Sequence, residues 1–125
     1  MPTLFKALGE ETGIRTIIES LIDLAIDDDF QISNINWQDD MSVCKYALFI
    51  ISLVDERWKW FRKELTDDRK MMLVQPDSFD RFKILVAKAC SQNDISQHVT
   101  NDFINLLESK KEYLIEKAPD LGSAH

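Results

Sequence analysis

Residues able to do chemistry are scarce in this chain. It holds two histidines, and one of them, His125, ends a GSAH tail that has the look of a flexible end or a tag stub. That leaves His98, set among the polar residues SQHVTN near the start of a helical pattern. A lone histidine makes a poor metal site without further ligands at close spacing, so a surface or capping place is expected, with metal ligation as the rival. The two cysteines, Cys44 and Cys90, form neither a CxxC nor a disulfide framework, which fits a reduced, cytosolic setting. Cys44 reads as packing in an apolar stretch, with a redox-sensitive thiol as the alternative. Cys90 follows Lys88 by two residues, which would lend it modest thiolate character. The acidic run Asp27–Asp29, with Asp39 and Asp40, lacks the alternating oxygen ligands and central glycine of a calcium loop. A solvated helix end is the better reading. No Ser/His/Asp set, phosphate-cradling glycine loop or carboxylate pair at catalytic spacing stands out, so no enzyme is expected.

The surface feature with most to offer is RWKWFRKEL, where Trp58, Trp60 and Phe61 lie among Arg57, Lys59, Arg62 and Lys63. Aromatic anchors mixed with cations are typical of interface hot spots. Trp58 and Phe61 are three apart and share a helix face, while Trp60 points elsewhere, so burying all three is hard. The bland alternative has one tryptophan in the core and the other half covered. A protein partner or a homodimer is expected to use this stretch.

Elements must position these groups, and the bulk numbers limit the choice. A chain of 125 residues is the usual size of one domain, and 45% apolar with 30% charged residues suffices for one core. A net charge of −7 without basic runs argues against nucleic acid, whose binding needs clustered Lys and Arg, and disfavours anionic membranes. The longest apolar run, YALFIISLV from Tyr46 to Val54, is far short of a spanning helix. The start MPTLFKALGEE lacks the charged leader and apolar block of a signal peptide. A cytoplasmic protein is expected.

Helical spacing dominates, with only three glycines and three prolines to interrupt it. Thr3 caps a short opening helix that Gly9 ends. Ile14, Ile17, Ile18, Leu21, Ile22 and Ala25 then form one stripe, opposite Arg15, Glu19 and Asp23. After a polar connection, MSVCKYALFIISLVDERWKW is apolar nearly all round from Ala47 to Val54, as in a helix buried on several sides. Beyond Pro76, with Asp77 as cap, Phe79, Phe82, Val86 and Ala89 make another stripe. The last helix, capped by Asp94 or Ser96, carries Val99, Phe103, Leu106, Leu107 and Leu114 and runs on until Pro119 stops it. These patterns predict one all-α domain over 1–119 and a flexible tail over 120–125.

The order and spacing of the helices resemble the truncated haemoglobins, a bacterial-type globin family. PTLFKALGEETGIRTIIESLIDLAIDDD is similar to that family's opening motif, and QPDSFDRFKILVAK to its segment just after the proximal histidine. The resemblance implies a compact globin-like fold around haem, which binds oxygen or another diatomic ligand. It also implies functional residues, and these depart from the pattern. The family's distal Phe-Tyr pair corresponds to Leu21-Ile22, so no tyrosine hydroxyl is offered to a bound ligand. Its Gly-Gly break corresponds to Val54-Asp55. Its proximal histidine falls near Arg69, among Lys70, Met71 and Met72, and none of these is histidine. Arginine cannot deprotonate to bind iron.

Losses on both sides of the pocket imply a globin-like protein without haem, working as a regulatory, sensing or protein-interaction module. A haem-free globin must fill that volume, because voids cost stability in proportion to their size. Leu21, Ile22, Phe49, Met71, Met72, Phe79 and Phe82 are the residues expected there, lining or filling a pocket for a small apolar ligand. In the alternative, haem is kept and held by Met72, Met71, Lys70 or His98, since methionine does ligate haem iron in cytochromes. Cys44 is an unusual ligand on the other side.

Overall fold

The computed structural model describes residues 3–30, 38–55, 57 and 73–115. Lys70, Met71, Met72, Trp58, Trp60, Phe61 and the 120–125 tail lie outside the described residues. Within them the protein is all-helical: α1 (Leu4–Ala7), α2 (Glu10–Asp27), α3 (Asp40–Val54), α4 (Phe79–Gln92), α5 (Gln97–Ser109) and α6 (Lys111–Leu114). Among the described residues no strand forms, and the one extended pairing is an isolated parallel bridge between Val74 and Ile115.

Local chemistry sets most of the boundaries. Thr3 Oγ1 accepts from the Lys6 amide at 3.2 Å and caps α1. Between α1 and α2 the chain folds back at an elbow, with Gly9 at φ 94° and Glu10 at φ 62°. Glycine adopts that region without strain, whereas glutamate does so at a cost. Gly13 completes the elbow, because a Cβ there would lie 2.2 Å from the Leu8 carbonyl oxygen.

Two helices end in the same way. Asp29 stands at φ 50° after α2, with the Phe30 amide donating to the Ala25 carbonyl at 2.8 Å and the Asp29 amide to Ile26 at 3.1 Å. Asp94 stands at φ 61° after α4, with Ile95 donating to Cys90 at 3.0 Å and Asp94 to Ser91 at 3.2 Å. Both are Schellman caps with aspartate in the place glycine usually fills. The acidic IDDDF run is thus a helix stop.

The predicted apolar stripes of α2 and α4 face inward, and in α5 Phe103 and Leu107 are buried while Val99 and Leu106 are half-buried. α2 packs against α3 and α4, α5 lies on α4, and α1 reaches both α2 and α5. Every stripe residue of α2 from Ile14 to Ala25 is buried. In α3 the five consecutive residues Phe49–Leu53 are all buried, so this helix has no solvent side along that stretch. α2 and α4 run antiparallel and are tied near both ends of α4. Arg81 pairs with the Asp28 carboxylate, and its guanidinium lies 5.3 Å from the Phe30 ring centre. Asn93 Nδ2 donates to Ser20 Oγ at 3.0 Å and to the Ala89 carbonyl at 2.7 Å.

Two expectations are corrected. The closing helix does not run on towards Pro119, because it breaks at Lys110 into α5 and the one-turn α6 and ends at Leu114. The Ile115 backbone is recruited into the bridge with Val74 instead. Asp77 does not cap α4, since Pro76 starts a 3-10 turn through Ser78 and Asp77 lies inside it. Of the two caps offered for α5, Ser96 serves, its hydroxyl accepting from the Val99 amide at 3.2 Å. Asp94 is occupied in the preceding stop.

Candidate functional site

The described residues expected to surround a pocket are all buried in the core. Leu21 and Ile22 arrive from α2, Phe49 from α3, and Phe79 and Phe82 from the first turn of α4. All five belong to one apolar cluster, which Tyr46 and Phe103 also join. Phe79 and Phe82 tilt against each other with ring centres 5.9 Å apart, and Tyr46 and Phe49 do so at 6.2 Å. Both separations suit attractive edge-biased packing of aromatic rings.

Accessibility decides what this interior can hold. Leu21, Phe49 and Phe82 are 0% exposed, Phe79 2% and Ile22 6%. A slot wide enough for a porphyrin would leave its walls open to water. Haem also needs an axial donor directed at its iron. His98 is not directed inward. Its side chain is 87% exposed on α5, with Nε2 at 3.6 Å from the Asp102 carboxylate one turn on. These five side chains are closed off from solvent, and His98 faces it. No group of three His, Cys, Asp or Glu among the described residues could hold a metal ion.

Polar groups do enter the interior, and sequence reasoning missed them. The Tyr46 ring and hydroxyl are fully buried, and that burial drives the phenol pKa well above its ordinary value. Tyr46 therefore stays neutral throughout the physiological range. Thr100 is buried on α5 and hydrogen-bonds the Cys90 thiol at the end of α4. Burial pushes that thiol up to about 11, outweighing the hydrogen bond from Thr100, which acts the other way. The thiolate character expected beside Lys88 is overturned, because desolvation disfavours the charged form. Ser52 is buried as well, and its hydroxyl donates to the Phe49 carbonyl. A period-3.6 pattern marks which positions face inward but gives no sign that a polar residue will be among them. Cys44, half-buried on α3, is the more accessible of the two thiols.

The Val54-Asp55 step, where the family resemblance implies a lost glycine break, is nonetheless where α3 ends. Asp55 is extended at φ −123°, ψ 113° and takes Arg57 Nη2 at 2.7 Å. The side-chain hydrogen bond from Arg57 holds the Asp55 carboxyl below the usual carboxylate range. Arg57 also lies 5.9 Å from the Phe5 ring centre, which brings the end of α3 to α1.

No protein-family model, curated protein or solved structure matches this chain.

Proposed function

We propose that this chain is a divergent globin-like protein of the truncated-haemoglobin kind that has lost haem binding. On this reading it acts as a regulatory, sensing or protein-interaction module, and its chemistry is recognition rather than catalysis. The observation that carries the proposal is the closure of the interior at Leu21, Ile22, Phe49, Phe79 and Phe82, which are 0–6% exposed. On this reading side chains occupy the volume beside them, as close packing requires of a core without a cofactor. The distal positions carry hydrocarbon, and no histidine occurs between Leu65 and Phe82, the stretch in which the resemblance would put the proximal ligand. Recognition is assigned to Trp58, Trp60 and Phe61 on the composition of RWKWFRKEL alone.

The test is a hemin titration of the purified, folded protein followed in the visible spectrum. The expected result is a broad, non-saturating absorbance with no sharp Soret band. A sharp band saturating at one haem per chain overturns the proposal, and substitution of Met71, Met72, Lys70 and His98 in turn would then identify the ligand.

A further inference from the structure

We draw no further inference here: the strongest candidate, the outer face of α3 on which the exposed Met41 is followed at helical spacing by the half-buried Cys44 and Leu48, carries nothing because nothing among the described residues shows what covers it.

Discussion

The elbow between α1 and α2 and the junction of α4, α5 and α6 both turn the chain, but by opposite means. At the elbow, atoms that are missing define the shape. Gly13 lets the Leu8 carbonyl occupy the place of a side chain, and a Cβ on Gly9 would lie 2.9 Å from the Gly13 Cα. At the junction, side chains that are present define it. Phe79 sits under two lysines, Lys83 reaches to Glu108, and Leu114 is buried in the core. One region is vulnerable to added atoms and the other to removed ones. A substitution's size therefore predicts its effect only when the region is known.

The junction should show the largest loss. Phe79→Ala removes a fully packed ring and is expected to destabilise by about 3–5 kcal/mol in urea or thermal unfolding. Phe79→Leu, closer in volume, should lose less than about half of that. Near-equal losses for the two would mean that the aromatic face toward the lysines matters more than the filled volume.

The elbow comes next. Gly13→Ala adds one methyl group, a change that normally favours a helix interior by about 1 kcal/mol. Here it must push the Leu8 backbone aside, and a net loss of about 1–3 kcal/mol is expected. A stabilising outcome would show that α1 gives way freely, and the contrast between the two regions would fail.

The smallest effect should have the opposite sign. Glu10 holds a left-handed φ of 62°, which a glycine adopts without the Cβ clash. Glu10→Gly is expected to raise stability by up to about 1 kcal/mol, read as a higher urea midpoint with unchanged slope. A lower midpoint would mean that the carboxylate, which lies in the field of Arg57, contributes more than the strain costs.

Much of this architecture was legible in the sequence, for physical reasons that differ by element. The α2 stripe declares itself because a half-buried helix repeats its apolar residues every three or four positions. Thr3 and Ser96 were readable as caps because a hydroxyl before an apolar run has a definite backbone amide to satisfy. The break at Lys110 was not readable. KKEYL carries no glycine or proline, and the helical pattern continues through it. The chain turns there because Leu114 and Val74 pair across 40 residues of sequence separation, a tertiary cause with no local mark. Leu21, Ile22, Phe49, Phe79 and Phe82 are all buried because periodicity places them on inward faces. Tyr46, Thr100 and Ser52 escaped notice because their polar atoms break the rule that makes inward faces visible. The Cys90 thiol was misjudged for a related reason: one neighbouring cation was weighed, and the surrounding hydrocarbon was not.

The unbroken burial of Phe49–Leu53 has a consequence outside the native state. FIISLV is β-branched or apolar almost throughout, has no proline, and carries no charge until Asp55. Such a window is a template for intermolecular strand pairing whenever it is uncovered. The same residues that leave α3 no solvent side therefore make the newly synthesised or unfolded chain adhesive. Lys45 and Asp55, standing at either side of the run, are placed as gatekeepers against that fate.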